Sequence, residues 1–337
     1  MMTAEAVAKH THHASPAHEP PAAIRAAGIV VVLTVVLAIL AIAFALPAAR
    51  SKPHDVPIGA AGPQAASGQV AEILEQRAPG AFAITYYPGE AALRDAIHNR
   101  DVYGGISLGP DGRSLLIATG GSPVVAQMLT QIGNGIAQQA HVPLRTEDLA
   151  PPTGADPRGA GLAASALPIT LAGLLPAVAL VLLLKREVWT RFAAAMVFAA
   201  VAGTTIAALL RYVFNSIDQN VWGVAAGLTL GLLAAGLSML GLGSLFGRVG
   251  LAVGALLALL LGNPLSGLAS APEMLPSGWG TLGQWLPQGA TATLLRSTAF
   301  FDGAGATTAI AVLSSWAVAG AALMVIAAVR QAKSVRA

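Results

Sequence analysis

Apolar residues gather in long uninterrupted runs along this chain, and one stretch of mixed character separates the first run from the others. Residues 24–46 read IRAAGIVVVLTVVLAILAIAFAL, with Arg25 at the edge and no charge from 26 to 49. A helix needs roughly 20 apolar residues to cross about 30 Å of hydrocarbon, so the run predicts a spanning helix. Five further runs follow at 162–184, 192–210, 221–245, 249–267 and 306–329. Pro264 interrupts the fifth, which makes it the shortest continuous span.

The intervening stretch, 49–161, changes period. It opens with a Pro/Gly/Ala-rich linker and closes with another, APPTGADPRGAG, and between them is an α/β pattern. Val70, Ile73 and Leu74 recur at helical spacing, and AFAITYY at 81–87 reads as a strand. Residues 89–100 place Ala92, Leu93, Ala96 and Ile97 on one helical side. VYGGISL and RSLLIAT flank Gly109, Pro110, Asp111 and Gly112, the pattern of a β-hairpin. A last amphipathic helix over 122–139 starts with Ser122, suited to capping, and Pro123, suited to the first turn.

Composition narrows the class. The chain is 55% hydrophobic and 10% charged, with mean hydropathy +0.67, which describes an integral membrane protein and not a soluble domain on one anchor. The net charge of +3 does not point to nucleic acid, because the basic residues cluster at the ends of apolar runs. Lys9 and Arg25, then Lys185, Arg186 and Arg191, then Arg248, then Arg330, Lys333 and Arg336 fall on one side if there are six spans. By the positive-inside rule both termini are then cytoplasmic, in a multi-pass protein of the plasma (inner) membrane. Arg50, Lys52 and Arg211 lie on the other face and weaken the bias. A cleaved signal peptide is the rival reading of the first run, which exceeds the usual 7–15 residue core and lacks a compact basic start.

Little in the chain suggests chemistry of its own. His10, His12, His13 and His18 lie in an N-terminal tail, read as solvated, with metal binding the alternative. Cysteine is absent, so thiolate catalysis and disulfides are excluded. His98, His141, Asp95, Asp101 and Asp111 show no metal-ligand spacing, and no cofactor or enzymatic site is expected. Away from their ends the six runs carry no ionisable side chain, which argues against a proton-coupled carrier. No GxxxxGK[ST] is present, so ATP-driven work needs another subunit. Gly227 with Gly231, Gly243 with Gly247, and Gly250 with Gly254 stand at the spacing that lets membrane helices approach closely, within the chain or across a dimer.

The most distinctive segment is 263–303, where Pro264, Pro272, Pro276 and Pro287 forbid a continuous helix although the sequence stays apolar. It reads as an elbow of short re-entrant or interfacial helices, with Trp279 and Trp285 at the membrane surface. Glu273 and Arg296 are its notable charges, read as solvated loop charges, as an ion pair or as holders of an amphiphile's headgroup.

One span, an α/β domain, five spans and the elbow pattern NPLSG, PEMLP, LPQG and LLR together resemble ABC transporter permeases of the type-two export class. Phage infection protein-like membrane proteins share the layout. The resemblance implies six transmembrane helices with a small extracytoplasmic α/β domain between helices one and two. The segments are then a cytoplasmic tail (1–23), the first helix (24–48), the domain (49–161), a five-helix membrane domain (162–330) and a short tail (331–337). It further implies a homodimer or heterodimer of permease halves driven by a separate ATP-binding subunit, exporting a lipid-like or amphiphilic substrate through the bilayer. Asn263, Pro264, Pro272, Glu273, Leu275, Pro276, Pro287 and Arg296 would shape the outer gate. Lys185, Arg186, Glu187 and Arg191 would form the ATPase-coupling loop, which is short for that role. The alternative is a non-transporting membrane protein whose outer domain binds an envelope or cell-surface partner.

Overall fold

A computed structural model describes residues 21–109, 112–185 and 187–336. The histidine-bearing tail, the turn residues Pro110 and Asp111, and Arg186 lie outside them. Two compact units result, dividing after Ile42.

The first unit is most of helix α1 (Ala22–Ala49). Its apolar side chains, Ile24 to Ile42, stand exposed around the whole circumference. A helix apolar on every side has no polar face to give to water and belongs in lipid.

The second unit begins with a five-stranded mixed sheet in the order β2-β1-β3-β4-β5. The strands are β1 (Val56–Ala61), β2 (Phe82–Tyr87), β3 (Gly104–Gly109), β4 (Gly112–Ile117) and β5 (Arg145–Asp148). β1 runs parallel to both β2 and β3, β3 and β4 form an antiparallel hairpin, and β5 is parallel to β4. Helices α2 (Gln64–Arg77), α3 (Glu90–His98) and α4 (Pro123–Ala140) cover the sheet. Leu74 of α2 and Val125, Ala126 and Leu129 of α4 pack with Val56, Ile58, Phe82 and Leu115, whereas Leu93, Ala96 and Ile97 of α3 pack with Ala61 and Leu116. The opposite facing of Leu115 and Leu116 is the two-residue period of a strand buried on both sides.

Local signals set these boundaries. Ser122 caps α4 by accepting from the Val125 amide, Pro123 occupies its first turn, and His141 ends it in the left-handed conformation. The supposed opening linker instead contains β1, which lies between two strands despite Pro57 and Gly59. Its small residues serve packing: a methyl on Gly59 would collide with Leu93 of α3. The closing linker is ordered as well, with Asp156 accepting from the amides of Ala160 and Gly161 at 2.8 Å each and so capping α5 (Ala160–Ala164).

Among the described residues, five helices are long and apolar enough to cross a membrane: Ala22–Pro47, Ala160–Leu183, Val188–Val213, Val221–Gly262 and Thr307–Lys333. The last four are built on α5 with α6 (Ala166–Leu183), on α7 (Val188–Ala208), on α8 (Val221–Leu257) and on α11 (Thr307–Arg336), with π-helical turns extending α7 and α8. The 42-residue fourth segment is not straight. Gly247 breaks it at φ 62°, ψ −138°, outside the helical region and natural only for glycine. A methyl on Gly254 would lie 2.5 Å from the Met239 sulfur. Those positions would be about 22 Å apart along one helix at 1.5 Å per residue, so the segment folds back into two antiparallel arms.

The long arm of α8 is the hub against which α6, α7, α11 and α10 (Pro287–Phe300) pack. Gly227 and Gly231 face Leu294 and Thr291 of α10, and Gly243, Gly250 and Gly254 line the seam between the arms. The third sequence pair therefore belongs to the fold-back, and Gly247 is its turn. Gly241 meets the Gly320 carbonyl of α11 within 2.7 Å of an added methyl, a contact the spacing motif did not single out.

Two outcomes test this packing. Gly320→Ala sets a methyl against the backbone of Leu237 and Ser238, and overpacking should cost about 1–3 kcal/mol in thermal unfolding of the detergent-solubilised protein. Gly68→Ala meets open space on α2 and should stabilise by up to about 1 kcal/mol through helix propensity. In the α/β domain, Arg94 donates to Glu90 at 2.7 Å and to Glu147 at 2.6 Å. The Arg94 hydrogen bonds hold both carboxyls below their ordinary 4.5. Their stabilisation is present above that value and is lost as pH falls through the lowered ones. The stability difference between the protein and its Arg94→Gln variant should close below pH about 4.5; a constant difference down to pH 3 would contradict the pairing.

Candidate functional site

The elbow residues are gathered where the helical bundle meets the α/β domain. After the π-helical turn at Ala258–Gly262, the chain makes a 3₁₀ turn at Pro272–Met274, the short helix α9 (Trp279–Gln284) and then α10. Pro272 and Pro287 lie where a backbone N–H is dispensable, since they open their helices.

This elbow belongs to several hydrophobic cores at once. Leu268 joins the bundle core, and Ala271 and Met274 join the core beneath α2 and α4. Phe301, just after α10, joins the core under α3. Backbone bonds reinforce the join, with the amides of Lys52 and His54 donating to Met274 and Glu273 carbonyls at 3.2 and 3.0 Å. Met274 and Phe301 are each worth about 1.5–3 kcal/mol when buried, so withdrawing the elbow would expose a substantial part of both domain cores.

Between elbow and domain is a cavity of 590 Å³. The structure brings Pro272, Glu273, Leu275, Pro276 and Arg296 to its wall, with Arg100, Tyr103, His54, Gln284 and Trp285. Asn263, Pro264 and Pro287 do not line it. Asn263 borders a small cleft beneath Leu268, and Pro287 lines an apolar pocket of 110 Å³ between α6, α8 and α11. The segment from Gln284 to Gln288 forms the partition, since Gln284 and Trp285 face the cavity, and Leu286, Pro287 and Gln288 face the apolar pocket. The Trp316 indole locks that partition by donating to the Trp285 carbonyl at 2.8 Å.

Arg296 is not a solvated loop charge. It is 5% exposed and donates to the carbonyls of Gly267 and Leu268 at 3.0 and 2.6 Å. No salt bridge joins it to Glu273 among the described residues; Glu273 accepts from the Tyr103 hydroxyl at 2.8 Å. Burial pushes the Tyr103 phenol far above its ordinary range, and the Glu273 charge adds to the shift. Tyr103 is therefore a donor to the carboxylate.

Arg100 was not singled out by the sequence, where it ends a helical pattern. It sits in the left-handed region at φ 64° and aims its guanidinium at the Thr293 carbonyl, 3.1 Å away, and at the Ser297 hydroxyl. Its Cζ lies 5.3 Å from the Phe301 ring centre, within cation–π range. Its left-handed φ belongs to the C-terminal cap of α3, where the amides of Arg100 and Asp101 donate to the carbonyls of Ile97 and Ala96 at 3.0 and 2.9 Å.

At the opposite end of the bundle the proposed coupling loop separates into two classes. Lys185 and Glu187 are exposed, and Arg186 is outside the described residues. Arg191 is 2% exposed, its Nε donating to the Leu184 carbonyl at 2.6 Å and its other arm to Ser244 on α8 at 2.9 Å. It is turned inward and seals the end of α6. Nearby Trp189, 63% exposed, and Arg248 are also exposed at this end. Arg191→Ala should lower stability by about 2 kcal/mol or more, through lost charged hydrogen bonds, whereas Lys185→Ala should stay within about 0.5 kcal/mol. Equal thermal shifts would refute the distinction.

Among the described residues, no three His, Asp or Glu side chains are gathered to hold a metal. The chain matches no family model, no curated protein and no solved structure.

Proposed function

We propose that this protein is the membrane half of an exporter of the ABC type, moving an amphiphile from the cytoplasm or inner leaflet with a separate ATPase. The observation that carries the reading is the elbow: a proline-broken segment that partitions a cavity of mixed lining, bearing Arg100, Glu273 and Arg296, from an apolar pocket and is anchored in the α/β domain. An amphiphile needs both environments, and a path past such a partition exposes neither half to the wrong solvent. In this reading the arms of the Val221–Gly262 segment are separate crossings, the second completed by the elbow, which makes six crossings in all. The termini are then cytoplasmic and the α/β domain is extracytoplasmic, in keeping with the charge bias at the helix ends. The sequence carries no P-loop, so in this reading the motor would be another chain. Lys185, Glu187, Trp189 and Arg248 form the surface on which it would dock, and the two permease halves would dimerise.

A second reading rests on a different groove. β1 leads to β2 on one side and β3 returns on the other, so the carboxyl ends of β1 and β3 form a topological switch point, where open α/β sheets bind ligands. A groove of 990 Å³ lies there, lined by Gly62, Pro88, Gly89, Ser107, Gly109 and Arg145. A domain that only binds an envelope partner would use it.

Reconstitution separates the two. The export reading expects amphiphile movement from proteoliposomes that requires a copurifying ATPase and ATP, and a loss of at least tenfold in rate on replacing Lys185, Glu187 and Trp189 with Ala. No associated ATPase, together with retained cellular function in the triple variant, would overturn it.

A further inference from the structure

We infer that the cavity between elbow and α/β domain is a binding site for an anionic group, a phosphate or carboxylate, held by Arg100 and Arg296 as the head of an amphiphile. The inference deepens the export reading and takes its amphiphile from it.

Arg296 is buried and Arg100 partly so, and neither forms a salt bridge among the described residues. Glu273, which accepts from Tyr103, and the exposed Asp55 are the carboxylates in the wall among the described residues. Neither guanidinium is ion-paired to them, so both keep charge and donors for a further anion.

Hydrogen-bonding capacity agrees. A guanidinium has five N–H donors in a planar fork suited to phosphate or carboxylate. Arg296 directs two of them to protein carbonyls, and Arg100 directs one nitrogen to Thr293 and Ser297. Roughly three donors on each group are left without a protein acceptor. Thr293 and Ser297 are on α10, on the same side as the buried Arg296, so one helix positions both cations.

The ligand's size follows from the walls. At 590 Å³ the cavity accommodates a headgroup, whereas the apolar pocket across the Trp285–Pro287 partition, at 110 Å³, has room for only a few methylene groups.

Equilibrium binding to the purified full chain, with no ATPase present, tests this. The probes are short-chain phosphatidylglycerol, the matching phosphatidylcholine and inorganic phosphate, read by native mass spectrometry. Phosphatidylglycerol should bind at least tenfold tighter than phosphatidylcholine. Arg100→Gln should abolish that preference and Arg100→Lys should keep part of it. Glu273→Gln, which retains an acceptor for Tyr103 but removes the negative charge, should tighten anion binding severalfold, a gain that a misfolded variant cannot give. Competition by millimolar phosphate would identify the anion alone as the ligand; its absence would identify the lipid headgroup. Either result supports the anionic site. Equal binding of the two lipids, or no gain in Glu273→Gln, overturns it. Binding with this pattern but no ATP-dependent export would sink only the export reading, and export indifferent to headgroup charge would sink only this one.

Discussion

The elbow is buried on both sides of the sheet as well as in the helical bundle, and most other features of the second unit depend on that. Ala271 and Met274 fill the core under α2 and α4, Phe301 fills the core under α3, and Leu268 fills the bundle. Side chains of this size contribute about 1.5–3 kcal/mol each when buried, against a total stability of about 5–15 kcal/mol for an ordinary domain. The α/β domain therefore uses residues more than a hundred positions downstream to complete itself. It cannot shift without taking the elbow along, and the elbow cannot open without loosening the domain.

That constraint explains the charge pattern. Ionisable groups are absent from the middle of the long helices and appear instead where helices end. At one end Arg191 closes the α6 carbonyls onto α8; at the other, Arg296 and Arg100 are drawn into the elbow's own carbonyl-rich turns. The first arrangement is satisfied and structural. The second leaves positive charge and unused donors beside a cavity, which is why the proposed chemistry lies there.

Much of the architecture was legible as periodicity. The apolar runs, the α4 cap at Ser122 and Pro123, and the hairpin of β3 and β4 each rest on a signal within a few residues, and local physics decides them. What was missed depends on partners remote in sequence. β1 was read as linker because Pro57, Gly59 and Ala60 disfavour a strand in isolation; its smallness answers to Leu93 above and Gly105 beside it. Arg191 and Arg296 were read as surface charges because sequence shows a charge but not the carbonyls that enclose it. Proline spacing exposed the elbow, yet only tertiary contact could show that Asn263 and Pro264 stand apart from the cavity and that Arg100 joins it. The fold-back at Gly247 was half visible, as a glycine-rich run around Arg248.

The central claim is that elbow and α/β domain form one cooperative body, and hydrogen exchange on the full chain carrying Met274→Ala tests it most directly. If the claim holds, exchange rises together at Pro272–Met274, in β1 and in β4, because a single core has lost its plug. If exchange rises at the elbow alone while β1 and β4 keep their protection, the elbow is only resting on the domain, and the coupling proposed here is wrong.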